Sequence, residues 1–126
     1  DVEGKDILVL DDMISSGDSM LDIAMELKRR KARRIFAATT YALFTDGIKE
    51  FQKCYEQGII DKIFATNLTY RRPELKDAPW FVEVDMSKYI AKLIDALNYD
   101  ESLGGIVNPA QRIMNLMQRR NCGEKI

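Results

Sequence analysis

Two adjacent carboxylates and a stretch of small polar residues are the features of this sequence best suited to chemistry. Asp11 and Asp12 follow an apolar run at residues 7–10, and the small polar stretch SSGDS occupies residues 15–19. Carboxylates at the end of a strand accept hydrogen bonds from hydroxyl groups or hold Mg²⁺. Small residues that open a helix leave backbone N–H groups able to bind an anion. The spacing therefore predicts a site in which an anion lies close to a group that the carboxylates bind.

A five-carbon sugar phosphate satisfies both halves of this arrangement. Two carboxylates repel a phosphate unless a hydrogen-bond donor or a cation lies between them, and a vicinal diol or Mg²⁺ meets that need. We therefore expect the 5-phosphate in the loop and the 2- and 3-hydroxyls at Asp11 and Asp12. Gly17 would let the backbone approach the phosphate closely. The alternative is purely structural, a strand end followed by a helix that Asp18 or Ser19 caps.

A receiver domain of two-component signalling is a second alternative, because it also begins with an apolar strand that ends in an acidic pair. The chemistry of that class additionally needs an aspartate nucleophile at the end of the third strand. The corresponding residues 63–67, IFATN, contain no carboxylate. The sequence therefore argues against a receiver domain.

The elements that must position these residues alternate between strands and helices. Apolar runs of strand length predict four strands, at residues 7–10, 35–41, 63–65 and 81–84. Helical periodicity predicts a helix at residues 20–30 and a second helix that starts at the N-cap Thr45 and ends at Gly58. A third helix would be capped by Asp85 or Ser87.

Strands that alternate with helices through short connections predict an α/β fold, a doubly wound and mainly parallel sheet with flanking helices. Ligands of such sheets bind beyond the carboxyl ends of the strands. Three connections lie at that edge in the predicted sheet, at residues 11–19, 39–45 and 66–70. The first of them is the most distinctive.

The composition is that of an ordinary globular chain without a strong net charge. Of 126 residues, 46% are hydrophobic, and 19 basic residues balance 20 acidic ones. This balance argues against a nucleic acid as partner, and the basic residues 28–31 are expected to form a solvated helix end. No apolar run approaches the ~20 residues of a membrane span, so no membrane partner is expected. The two cysteines form no disulfide framework, which favours a cytoplasmic location.

Residues 11–19, DDMISSGDS, resemble the phosphoribosyl pyrophosphate (PRPP) motif of type I phosphoribosyltransferases and PRPP synthetases. That motif has two acidic residues, two apolar residues and a small loop rich in hydroxyl groups and glycine. Outside the motif the chain is most similar to ribose-phosphate pyrophosphokinases, which are the PRPP synthetases. The similar positions are Gly4-Lys5, Thr39-Thr40, Leu43-Phe44, Thr66-Asn67 and residues 98–103. The resemblance covers roughly residues 2–103.

The resemblance implies a phosphoribosyltransferase-like domain at residues 1–103 and a helical tail at residues 104–126. It also implies a longer protein that forms a homo-oligomer. In this family a histidine-containing metal and ATP region and a basic catalytic loop lie upstream of the motif, and we expect the catalytic residues there. The absence of histidine from this chain agrees with that expectation.

The resemblance also assigns roles to the motif. Asp11 and Asp12 would bind the ribose hydroxyls and contact Mg²⁺ as metal ligands. The residues expected around the 5-phosphate are Ser15, Ser16, Gly17, Asp18 and Ser19. The implied reaction, that of a ribose-phosphate diphosphokinase, transfers the diphosphoryl group of Mg-ATP to the anomeric hydroxyl of ribose 5-phosphate and gives PRPP and AMP. The isolated segment is expected to be inactive.

Three positions differ from the family pattern. Ser15 stands where many relatives have an aspartate, Asp18 stands where glycine is usual, and Tyr41 stands where the synthetases often have histidine. Two alternatives therefore stay open. One is a phosphoribosyltransferase that acts on a small base, and the other is a non-catalytic regulatory relative that senses PRPP or associates with an active synthetase.

Overall fold

The computed structural model describes residues 1–123 and shows a parallel α/β fold. Its strands and helices are, in chain order, β1 (Asp6–Ile14), α1 (Asp18–Arg29), β2 (Arg34–Ala42), α2 (Lys49–Glu56), β3 (Lys62–Thr66), β4 (Phe81–Val84), α3 (Ser87–Asn98), α4 (Gly104–Val107) and α5 (Ala110–Asn121). A 3₁₀ turn at Pro73–Asp77 precedes β4. The strands pair in the order β1-β2-β3-β4, and every pair is parallel. The predicted fold class and the helical C-terminal region are confirmed.

Alternating apolar side chains of the sheet form the core. Ile35 and Ala37 of β2 are completely buried, and Ile63 and Ala65 of β3 are buried beside them. This period of two places one face of each strand inward. Parallel strands that follow one another in sequence need right-handed crossovers, which bring α1 and α2 to the same face. The buried residues of these two helices are Met20, Leu21, Ala24, Phe51 and Cys54.

β1 lies at the edge of the sheet, and β2 is its strand partner. Its apolar run is covered unequally on its two faces. Ile7 and Val9 pack against the core cluster, whereas Leu8 and Leu10 are 55% and 73% exposed. The edge strand that carries the two aspartates therefore also presents an uncovered apolar surface.

The chain divides into two compact units, one that ends at Met86 and one that begins at Ser87. The first unit contains the sheet with α1 and α2, and the second contains α3, α4 and α5. None of the helices within residues 1–123 has the length and apolar composition to cross a bilayer. The predicted division between residues 103 and 104 stays a prediction, and residues 124–126 of the predicted tail lie outside the described residues.

The basic residues at the opposite edge of the sheet are paired with carboxylates. Arg29 and Arg30 contact Glu26 at 2.7 and 2.6 Å, and Asp6 binds the next two arginines of the chain. Hydrogen bonds from Arg29 and then Arg30 lower the pKa of Glu26 to about 2. The pKa of Asp6 is likewise well below its usual range because of its arginine partners. This stretch is a set of exposed ion pairs, as expected for a solvated helix end.

Candidate anion-binding site

β1 extends four residues beyond the predicted strand and carries both aspartates. Met13 and the buried Ile14 pair with the last two residues of β2. The ladder pairs Asp11 with Thr39 but skips Asp12, whose N–H donates to Oδ1 of Asp11 at 2.8 Å. The two carboxylates are therefore not equivalent, because Asp11 already accepts a backbone hydrogen bond and Asp12 lies where the ladder is interrupted.

The chain turns sharply from β1 into α1. Gly17 is the N-cap residue, with a φ of 103° in the left-handed region that favours glycine. Within the described residues the N-cap residue has no side-chain hydrogen bond, so the structural alternative in which Asp18 or Ser19 caps α1 is not formed, although the N–H of Asp18 donates to Oγ of Ser16 at 3.5 Å. Ser16 Oγ instead donates to Oδ2 of Asp18 at 3.1 Å. The N-terminus of α1 therefore keeps backbone N–H donors available, and the helix dipole adds the equivalent of about half a positive charge at this end.

The loop borders a cavity of about 140 Å³ at the carboxyl edge of the sheet. The residues that line it are Asp11, Met13, Ile14, Ser15, Ser16, Gly17, Ser19 and Met20. At about 30 Å³ per water molecule, this volume holds roughly four or five waters, which is comparable to a phosphate group. The structure thus brings five of the seven predicted site residues together around one cavity, and Asp12 and Asp18 are outside its lining.

The connection after β2 lies against this loop. The N–H of Leu43 donates to the carbonyl of Ile14 at 2.8 Å, and the N–H of Thr45 donates to the carbonyl of Ser15 at 2.9 Å. Thr45 was predicted to cap the second helix, which is wrong because α2 begins only at Lys49, with Ile48 as its N-cap. The backbone of Thr45 instead holds the second connection against the first.

Buried aromatic side chains fill the space behind the loop. A β-carbon on Gly17 would lie 2.2 Å from Cζ of Phe51, far inside the ~3.5–4.0 Å at which carbon atoms pack. Phe51 contacts Phe44 edge-on, with centroids 4.9 Å apart, and stacks on Trp80 at 5.7 Å. Phe44 has a φ of 48°, which costs a residue other than glycine roughly 1–2 kcal/mol. Its complete burial holds it in this conformation.

The sequence does not reveal these aromatic residues as neighbours of the site. Phe51 fits the apolar face of a helix, and no spacing rule connects it with a glycine so much earlier in the chain. The available signal was Gly17 itself, since a glycine between a strand and a helix marks either a positive φ or a close approach. The structure shows both at this position.

Arg72 approaches the same region from the connection after β3. Its Nη1 donates to the carbonyl of Phe44 at 3.3 Å, and its Nη2 lies 3.4 Å from Glu74. Its buried Nε has no hydrogen-bond partner among the described residues. Arg71 pairs with Glu83 at 2.8 Å. The guanidinium groups of Arg71 and Arg72 are thus engaged with Glu83, Glu74 and the carbonyl of Phe44.

The two aspartates fit a magnesium ion only in combination with a ligand. Within residues 1–123 no three side chains of His, Cys, Asp or Glu cluster in a way that would hold a metal. Asp11 and Asp12 are both exposed at the sheet edge. Because Mg²⁺ is commonly held by one or two carboxylates together with substrate phosphates, the pair suits such shared coordination.

The fold matches part of a solved phosphoribosylpyrophosphate synthetase. The crystal structure of phosphoribosylpyrophosphate synthetase from Mycobacterium smegmatis superposes with a TM-score of 0.69, and the match covers 79% of this chain and 32% of that chain. The sequence identity is 20%, so this likeness establishes the architecture alone.

Comparisons of the amino-acid sequence identify the family to which the chain belongs. The ribose-phosphate pyrophosphokinase of Vibrio cholerae is 29% identical over 108 residues, which are 86% of this chain and 33% of that enzyme. The ribose-phosphate pyrophosphokinase of Mycoplasma pneumoniae is 24% identical over 107 residues, 84% of this chain and 32% of that enzyme. The phosphoribosyl synthetase-associated domain matches residues 1–108, and the chain belongs to that family. It spans about a third of the length of the curated relatives it matches.

Proposed function

We propose that the cavity at the end of β1 binds the ribose 5-phosphate portion of ribose 5-phosphate or PRPP. The observation that carries the proposal is the convergence of Ser15, Ser16 and Ser19 on a phosphate-sized cavity at an uncapped helix end. Hydroxyl and N–H groups that bind a phosphate contribute about 1.5–3 kcal/mol each before the costs of binding. Membership of the family supports this choice of ligand over other phosphates.

The ribose hydroxyls are assigned to the two aspartates. Asp11 lines the cavity and has a carboxylate beside the proposed phosphate, while Asp12 is exposed one residue later. A vicinal diol donates the hydrogen bonds that two carboxylates accept, so it separates their charge from that of the phosphate. Mg²⁺, when bound, would be held by Asp11 and Asp12 together with ligand phosphates and would neutralise charge on the transferred group.

For the whole protein we infer a ribose-phosphate diphosphokinase. The anomeric oxygen of ribose 5-phosphate bonds to the β-phosphorus of ATP, and the bond from that phosphorus to the oxygen shared with the α-phosphate breaks. AMP leaves, the hydroxyl proton passes to solvent, and PRPP results. Such transfers depend on positioning and charge neutralisation more than on a protein nucleophile. The residues of this chain would hold and orient the sugar phosphate.

The diol assignment predicts a large effect of Asp12→Ala. Because the carboxylate accepts a hydroxyl hydrogen bond, the variant should bind ribose 5-phosphate roughly ten- to a hundredfold more weakly by calorimetry. The wild type should discriminate against 2-deoxyribose 5-phosphate, and the variant should discriminate less. Asp22→Ala, which removes an exposed carboxylate of α1 outside the cavity, serves as the control. If the wild type bound both sugars equally, the assignment of the diol to the aspartates would be wrong. If the wild type bound neither sugar, the proposed binding site itself would be wrong.

We also expect the 126-residue chain to be inactive alone. It has no histidine, and Arg71 and Arg72 are engaged with Glu83 and the carbonyl of Phe44. The ATP site is therefore assigned to a further segment, in a protein that we expect to be a cytoplasmic homo-oligomer. With Mg-ATP and ribose 5-phosphate the chain should release no AMP. Sustained AMP release that depends on the sugar would place the ATP site within these residues and would contradict its assignment to a further segment.

A further inference from the structure

We propose that Phe51 is a positioning residue for the loop at residues 15–17 and that it sets the affinity of the site for phosphate. The inference rests on the proposed function of that loop. Gly17 has no room for a β-carbon, because that atom would lie 2.2 Å from Cζ and 2.3 Å from Cε2 of the Phe51 ring. The edge of one aromatic ring is therefore the surface on which the loop backbone rests.

The ring of Phe51 is itself fixed from behind. Its side chain is 1% exposed, and its plane lies within 21° of that of Trp80. Trp80 is completely buried and its Nε1 donates to Oε1 of Gln52 at 2.7 Å. The ring of Phe44 contacts the Phe51 ring in an edge-to-face arrangement, with an interplanar angle of 83°. Aromatic contacts and one side-chain hydrogen bond thus oppose movement of the ring away from Gly17.

The backbone of the second connection also holds the loop. The N–H of Thr45 donates to the carbonyl of Ser15 at 2.9 Å. With both contacts in place, Gly17 has the φ of 103° that directs the chain into α1. Donors that are oriented before a ligand arrives bind it more tightly than donors that must first be ordered. Phe51 therefore acts on phosphate through the loop, without touching the ligand.

Two matched variants separate this role from a general contribution to the core. Phe51→Leu removes the ring that contacts Gly17. Phe81→Leu removes a ring of the same aromatic group that lies 6.2 Å from both Phe44 and Trp80, whereas the three atoms nearest to a β-carbon on Gly17 all belong to Phe51. Calorimetry with inorganic phosphate and with ribose 5-phosphate should show roughly tenfold weaker binding for Phe51→Leu. The phosphate affinity of Phe81→Leu should stay within about twofold of that of the wild type. The thermal stabilities of both variants are compared as well, so that a loss of affinity is distinguished from a loss of stability.

Amide hydrogen exchange of the ligand-free chain supplies a second readout. The N–H groups from Gly17 to Met20 should exchange faster in Phe51→Leu than in Phe81→Leu, while amides of β2 and β3 change equally in both. The proposal would be overturned if Phe51→Leu bound phosphate as tightly as the wild type and its loop amides exchanged as slowly as those of the wild type. If the wild type bound no phosphate, the proposed function would fail, and the exchange rates alone would decide whether Phe51 positions the loop. Equal loss of affinity in both variants would also count against it.

Discussion

The connections that follow β1 and β2 leave the same edge of the sheet and are built in opposite ways. The first runs through three small residues, Ser15 to Gly17, and enters α1 at once around a hydroxyl-lined cavity. The second spans six residues before α2, and its Phe44 is completely buried. Both helices lack a side-chain cap. The comparison teaches that an uncapped helix N-terminus becomes a candidate binding site only where the connection also leaves a cavity beside it. The second connection instead buries an aromatic ring in the core.

The largest expected effect comes from adding the same side chain to a glycine in each connection. Gly17 and Gly47 both have positive φ, at 103° and 89°, but only Gly17 has atoms within 4 Å of a built β-carbon. Gly17→Val should therefore add overpacking of about 1–3 kcal/mol to backbone strain of about 1–2 kcal/mol, whereas Gly47→Val should show the strain alone. Urea unfolding measures both free energies.

Equal destabilisation by the two substitutions would mean that the Phe51 ring moves aside at little cost and does not pack tightly against the first connection. If Gly17→Val proves too unstable to purify, Gly17→Ala and Gly47→Ala provide the same comparison with a smaller group.

A smaller effect distinguishes the hydroxyl groups of the two connections. Ser16→Ala should weaken phosphate binding roughly two- to tenfold, which is less than a full charge-assisted hydrogen bond contributes, because the hydroxyl proton of Ser16 is already donated to Asp18. Thr45→Ala removes a hydroxyl that donates to Asp46 outside the cavity, so phosphate affinity should not change. Titration calorimetry with inorganic phosphate makes the comparison. A loss at Thr45 as large as that at Ser16 would mean that both connections contact the anion.

The smallest effect concerns the opposite edge of the sheet, where charges serve structure. Because its folded-state pKa of about 2 lies below the ordinary 4.5, Glu26 contributes stability above about pH 4.5 that is lost as the pH falls through about 2. Carboxyl NMR should show Glu26 titrating near pH 2, and Glu26→Gln should leave phosphate binding intact. An ordinary titration of Glu26 would mean that Arg29 and Arg30 do not hold it in solution.

Local patterns predicted the elements well, because each apolar run in this chain has the period of its own element. β4 has the predicted bounds, and Gly58 follows the end of α2 with a positive φ, as expected for a helix that glycine closes. β1 was predicted too short because Asp11 and Asp12 interrupt its apolar run, although ladder pairing with β2 carries the strand on to Ile14.

The site was predicted less completely than the fold, because part of it depends on tertiary contacts. Adjacent residues DD gave no reason to treat Asp11 and Asp12 differently, yet only Asp11 lines the cavity. The contact between Gly17 and Phe51 joins the first connection to helix α2, which are distant in sequence, and becomes visible only when the sheet brings them together. The roles of the seven predicted site residues stay predictions until binding is measured.

The uncovered edge of β1 has a consequence for the behaviour of concentrated samples. A strand edge that lies beside exposed leucines is a template on which another copy can add a strand, and such additions lead to insoluble aggregates. Leu8 and Leu10 provide the apolar surface for this process. Charged residues at both ends of an apolar run oppose it, and Asp6 and Asp11 occupy these positions. The carboxylate proposed to bind ribose would therefore also help to keep the chain in solution, and neutral substitutions there should lower its solubility.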